Sequence, residues 1–272
     1  MKTKKSSFVL IFSLFSFISS AVTADNTDLA AVTTSDKRSP ENIHRNVARH
    51  PLETLTFFGI KPSMTVVEIW PGNGWYTEIL APYLKEEGRL YAAHFPKESK
   101  VKFFSIYREK FKQKLAAQPV LYQNVKLTEL SSKAISVVSP ENSADMVLTF
   151  RNVHNWMSAG GDKLAFLSFY KALKPGGILG VVEHRAKPGT SIEAMKASGY
   201  VTEEYVIQLA ESAGFKLLAR SEVNANPKDS ADHPKGVWTL PPTLRLKEEN
   251  RDKYLAIGES DRMTLKFIKP SK

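Results

Sequence analysis

Two hydrophobic patterns alternate along the chain. Short apolar runs, bounded by glycine, proline or charge, read as buried parallel strands, and stretches with apolar residues three and four apart read as helices. Strands are expected at Met64 to Ile69, Gly88 to His94, Asn124 to Leu130, Asp145 to Phe150, Ile178 to Glu183, Phe215 to Val223 and Met263 to Ile268. Ser39-Pro40-Glu41 starts a helix that carries HRNVARH, with a cap, a first-turn proline and an acid at the positive dipole end. A second short helix runs from Leu52 to Phe58 and stops at Gly59. WYTEILAPYL predicts a helix ended or kinked at Pro82, and Lys97 to Leu115 a long one with Val101, Phe104, Tyr107, Phe111 and Leu115 on one face. Asp162 to Leu173 follows, then a helix capped by Thr202 and stopped by Gly214. Asn224 to Pro242, rich in Pro and Asn, reads as an insertion. Strands alternating with helices predict an α/β, doubly wound and mostly parallel sheet. It forms one domain over 39–272, with N-terminal helices at 39–59 and ligands at the carboxyl ends of the strands.

Within that pattern Val66 to Thr77, VVEIWPGNGWYT, stands out. A strand carries a carboxylate near its end, breaks at Pro71-Gly72-Asn73-Gly74, and passes directly into a helix. Strand, glycine turn and helix N-terminus together make a site for an anionic or nucleoside-bearing ligand.

The first residues follow neither pattern. Lys2, Lys4 and Lys5 precede an apolar stretch, Phe8 to Ile18, too short to span a bilayer as a helix. Ala21-Val22-Thr23-Ala24 then places small residues for cleavage before Asp25, so 1–24 reads as a secretory signal peptide and 25–38 as a disordered leader. The expected location is periplasmic or secreted, with no stable membrane insertion after cleavage. Cleavage would remove three lysines and no acid, taking the net charge from +10 to +7. That balance favours an anionic small-molecule or envelope-linked partner, and the compartment disfavours nucleic acid. The chain has no cysteine, which excludes disulfides, thiolate metal sites and a cysteine nucleophile.

Four stretches now combine: Glu68 to Gly74, Ala144-Asp145-Met146-Val147, Leu173-Lys174-Pro175-Gly176-Gly177 and Ala213-Gly214-Phe215. With them the chain, from about Pro62 to Ile268, resembles class I S-adenosylmethionine-dependent methyltransferases. The apolar leader with ARHPLETL, EIWPGNGWYTEILAP and IGESDRMTLKF is similar to a group of exported predicted methyltransferases. The resemblance implies a Rossmann-like sheet of seven strands, the last antiparallel, and S-adenosyl-L-methionine as cofactor. It also marks two departures. Trp70 stands where the family's first loop glycine is usual, and His94 where an acid usually binds the ribose hydroxyls.

On this reading Glu68, Trp70, Gly72, Asn73, Gly74, His94, Glu129 and Arg151 are cofactor-binding candidates. Glu68 fits either the cofactor's ammonium or the capping of a turn. His94 fits a hydroxyl or a structural place, and Glu129 an adenine amino group or an exposed strand end. His154, Glu183 and His184, after the fourth and fifth strands, are the catalytic candidates, with His154 as general base or as a structural hydrogen-bonding residue. Arg45 and Arg49, four apart on the first helix, fit an acidic substrate or a solvated face, and Trp75, Tyr76 and Asn155 complete the expected substrate side. Glu259-Ser260-Asp261-Arg262 is either a salt-bridged turn or a pocket edge. The six histidines show no paired ligand spacing, so no metal is expected. Three functions compete: methyl transfer, non-catalytic binding of a small ligand on the same fold, and nicotinamide-dependent oxidoreduction. The last lacks the full GxGxxG and the acid that ends the second strand.

Overall fold

A computed structural model describes residues 28–271. The signal-peptide expectation, and the leader up to residue 27, lie outside the described residues. Seven strands form one sheet: β1 (Thr65–Ile69), β2 (Arg89–His94), β3 (Lys126–Glu129), β4 (Ala144–Phe150), β5 (Leu173–His184), β6 (Lys216–Ser221) and β7 (Arg262–Ile268). Their order is β3-β2-β1-β4-β5-β7-β6. β7 runs antiparallel to both β5 and β6, and the other pairings are parallel. The strand order reverses between β1 and β4, which opens a crevice at their carboxyl ends.

Before the sheet come α1 (Leu29–Thr34), α2 (Pro40–His44), α3 (Asn46–Arg49) and α4 (Pro51–Phe58). Between strands lie α5 (Thr77–Leu84), α6 (Lys102–Ala117), α7 (Pro119–Tyr122), α8 (Val153–Ala159), α9 (Asp162–Ala172), α10 (Ile192–Ser198) and α11 (Glu203–Ser212), and α12 (Arg251–Ile257) precedes β7. The central strands are buried on both faces, so β1 is apolar without alternation, while the edge strands β3 and β6 are partly exposed. Val67 and Ile69 pack into a core with Trp156, Phe166, Phe169 and Phe267, while Val66 faces a second core with Leu55, Phe58, Ile79 and Leu80. Gly180 of β5 lets α4 lie directly on the sheet, because a Cβ there would meet Phe58 at 2.9 Å and Leu148 at 2.7 Å.

Several expectations are corrected. The leader is helical from Leu29: Asp28 caps α1 by accepting from the Ala30 amide, and Thr33 is buried against the domain. Arg38, also in the leader, is 2 % exposed. The first helix is two short ones, broken at Arg45, and Arg45 and Arg49 both pair with Glu259. Pro82 does not end α5, which continues to Leu84. β5 begins at Leu173, through the Lys-Pro-Gly-Gly turn. No helix among the described residues is long and apolar enough to cross a membrane.

Candidate functional site

The turn after β1 is held open by local backbone chemistry. Gly72 (φ +61°) and Gly74 (φ +82°) adopt left-handed conformations that glycine takes without cost. A Cβ at Gly72 would meet nothing within 4 Å, so its backbone is open to a ligand, whereas one at Gly74 would meet Phe111 at 3.1 Å. Glu68, at the end of β1, is buried and accepts a 2.6 Å hydrogen bond from Thr77 Oγ1, in the first turn of α5. Burial raises its pKa to about 7, against the smaller opposing effects of the Thr77 bond and Lys114.

Trp70 also has a left-handed backbone (φ +45°), which is an outlier for an aromatic residue. Its indole Nε1 donates to the Leu130 carbonyl at 3.1 Å, and its rings pack edge-on against Phe95 and Trp156. The indole forms a wall between two cavities. One, of about 290 Å³, is charged and lined by Arg45, Arg49, Glu68, Asn73, Tyr76 and Arg151 among others. The other, of about 490 Å³, is mostly apolar and lies against Pro96, Val101, Phe104 and Ser131.

Four arginines meet at one carboxylate beside the charged cavity. Glu259 lies 2.7 Å from Arg45 Nε, 3.3 Å from Arg49 Nε, 3.4 Å from Arg262 Nη1 and 3.7 Å from Arg151 Nη1. Arg49 is 3 % exposed, and its guanidinium stacks 4.6 Å from the centre of the Trp75 ring. Burial works against Glu259's charge, but the arginines together prevail and hold its pKa at about 2. Arg151, strained at φ +61°, is drawn down to about 10 by burial, with Glu259 opposing. Asn152 donates to the Ile69 carbonyl at 3.0 Å and so ties the end of β4 to the end of β1.

The catalytic candidates form a second cluster beyond Arg151. His154 Nδ1 donates to Glu183 Oε1 at 3.0 Å, and Glu183 is fully buried. Among the described residues the other ring nitrogen, Nε2, has no hydrogen-bond partner, so this tautomer presents a basic lone pair. His184 Nδ1 lies 2.5 Å from Ser260 Oγ. Its pKa is pushed well below the ordinary value, first by burial, then by His154 and by Arg151, Arg262 and Arg49. One atom each from His154, Glu183 and His184 fall within 4.8 Å of one another, a spacing that would admit a metal. Two observations weigh against one. Glu183 already accepts from the His154 ring and from the backbone amides of His154 and His184, and the neighbouring arginines repel a cation.

Of the sequence candidates, Arg45, Arg49, Glu68, Trp70, Gly72, Asn73, Trp75, Tyr76 and Arg151 thus converge on the charged cavity. Gly74 packs behind the loop. His94 does not reach it: Nε2 donates to the Gly72 carbonyl at 3.0 Å and Nδ1 accepts from the Phe95 amide at 2.8 Å. Both nitrogens are spent on the backbone, and burial lowers the ring's pKa to about 4, so His94 braces the loop as a neutral imidazole. Glu129 pairs with Arg108 at 3.0 Å and lines neither cavity. Asn155 is exposed, and Asn152 stands at the cavity in its place. Asn42, which lines the charged cavity, and Glu259 and Arg262, which pair beside it, carry no individual signal in the sequence. The charge density before β7 was the one available signal for the last two.

No family model matches the sequence, and no curated protein matches it. The fold does match solved structures. A SAM-dependent methyltransferase from Aquifex aeolicus is 20% identical, with a TM-score of 0.52 over 72% of this chain and 93% of its own. The [4+2]-cyclase SpnF is 16% identical, with a TM-score of 0.58 over 88% and 85%. The CurJ carbon methyltransferase is 14% identical, with a TM-score of 0.50 over 90% and 59%. At these identities the likeness establishes the architecture, and the chemistry must be argued from the site itself.

Proposed function

We propose that the protein is an exported S-adenosylmethionine-dependent methyltransferase acting on a small or envelope-linked acceptor. One observation carries the reading. On a sheet of the methyltransferase architecture, the β1 turn borders a cavity that offers a carboxylate and arginines to a single small ligand. That donor set matches the zwitterionic amino-acid end of the cofactor: Glu68 for the ammonium, with Arg49 and the open amides around Gly72 for the carboxylate. The apolar cavity beyond Trp70 suits a flat base. Export is supported by the lysine, apolar and small-residue succession before Asp25.

When bound, S-adenosylmethionine supplies an electrophilic methyl group on a sulfonium. The chain's own residues must then orient the acceptor and take a proton from it. His154 is the base this site offers. Glu183 fixes its tautomer, leaving Nε2 as acceptor; the ring lines neither cavity, and the residue follows by two positions Asn152, which does line the charged one. His184, kept neutral by burial and its cationic neighbours, adds a second hydrogen-bonding group without charge.

A second reading, a non-catalytic binding protein on this fold, is favoured by Trp70, which walls one cavity from the other, and by His94, which leaves no ribose ligand on β2. Calorimetry on the chain from Asp25 onward separates the two. The methyltransferase reading expects S-adenosylmethionine and its demethylated product to bind at micromolar to submillimolar concentration. No heat at millimolar ligand would sink it.

A further inference from the structure

Four guanidinium groups surround Glu259, and among the described residues no other carboxylate lies within 4.0 Å of any of them. The cluster therefore holds three positive charges more than its one acid neutralises. Two of the arginines, Arg49 and Arg262, are 3 % exposed, so water does little to compensate them. Unpaired buried charge is unfavourable, and perturbed charged clusters in a cleft concentrate at functional sites. Two details give the surplus a direction. Arg45, Arg49 and Arg151 all line the charged cavity, and Arg45 Nη2 is buried without a hydrogen-bond partner. The cluster is also rigid: Arg49 is stacked on Trp75, Arg262 donates to the Ala48 carbonyl, and Glu259 spans the group.

We propose that this cluster is a binding site for a compact dianion of the phosphate-monoester class, carried by the acceptor substrate. A planar guanidinium matches a phosphate through paired hydrogen bonds, and several converging forks favour a dianion over a monoanion. The cofactor's single carboxylate neutralises one of the three surplus charges, which leaves two for a second anionic group in the same cavity. Assigning the anion to the methyl acceptor rests on the methyltransferase reading. The dianion site itself does not, and it can be tested without the cofactor.

The test is calorimetric titration of the purified protein with inorganic phosphate and with acetate at matched ionic strength. Phosphate is expected to bind at least tenfold more tightly than acetate. Arg45→Met, at a partly exposed position where folding should survive, is expected to weaken phosphate at least fivefold. Saturating phosphate should leave S-adenosylmethionine affinity unchanged within twofold, because the two anions occupy separate parts of the cavity. Equal affinity for phosphate and acetate would overturn the proposal, as would an Arg45→Met variant that binds phosphate like the parent. Phosphate competing with the cofactor would also overturn it, since the arginines would then serve the cofactor's carboxylate alone. Glycerol 3-phosphate and phosphatidic-acid vesicles distinguish a soluble from an envelope-linked source. Binding of either supports the site, and failure of both while phosphate binds overturns the assignment to an acceptor.

Discussion

Replacing Glu259 with Gln removes the acid that joins Arg45, Arg49, Arg151 and Arg262 and leaves their shape almost unchanged. Holding the Glu259 pKa at about 2 instead of the ordinary 4.5 corresponds to about 3 kcal/mol of folding stability at neutral pH. Breaking a buried ion pair by deleting one partner costs roughly 3–5 kcal/mol, so the two routes agree. The sign follows from the depressed pKa. The contribution is fully present above about pH 4.5 and disappears as pH falls through 2. Urea unfolding of parent and variant at a series of pH values reads this directly. Glu259→Gln should be about 3 kcal/mol less stable at pH 7, and the gap should narrow steadily below pH 4.5. A gap under about 1 kcal/mol at pH 7, the size of an exposed pair, would refute the picture of a buried cluster held by one carboxylate. So would a gap that does not change with acid.

Other variants probe the rest of the site. Glu68 has a raised pKa of about 7, so its burial penalises the charged form, and stability falls as pH rises from about 4.5 to 7. Glu68→Gln should therefore unfold at higher urea than the parent at pH 8 and match it near pH 4, while losing cofactor affinity about tenfold. Trp70→Gly should cost about 3 kcal/mol in stability through the lost contacts with Phe95 and Trp156. Its removal joins the two cavities, so adenosine should bind more tightly, as equilibrium dialysis would show. His154→Ala should keep S-adenosylmethionine affinity within about twofold and lower methyl transfer to a screened acceptor by at least about 100-fold. Full turnover in that variant would take His154 out of the mechanism.

The parts legible in the sequence are those set by local rules. Buried central strands such as β1 and β4 announce themselves as apolar runs, the partly exposed edge strands β3 and β6 are weaker signals, and the antiparallel last strand is what the resemblance implies. The β1 turn is local too: Gly72 and Gly74 mark left-handed backbone, and Thr202 caps α11 by accepting from the Tyr205 amide. What escaped depends on contacts far apart in the chain. Glu259 meets Arg45 across 214 residues, and no spacing rule reports such a partner. His94 sits where a ribose ligand would be sought, yet its nitrogens are taken by Gly72 and Phe95, which only packing reveals. α1, at six residues, is too short to be stable alone, and it holds by docking Thr33 against the domain. Trp70 was legible as a departure, but its role as a wall follows from its bond to Leu130, 60 residues away.

The central claim is that the cavity beside the β1 turn receives S-adenosylmethionine, and hydrogen exchange measured with and without the cofactor tests it most directly. The account predicts slowed amide exchange across Glu68 to Glu78 and around Leu130 to Lys133, with no change in α10. Unchanged exchange in the β1 turn under saturating S-adenosylmethionine, or protection confined to surfaces away from both cavities, would contradict it.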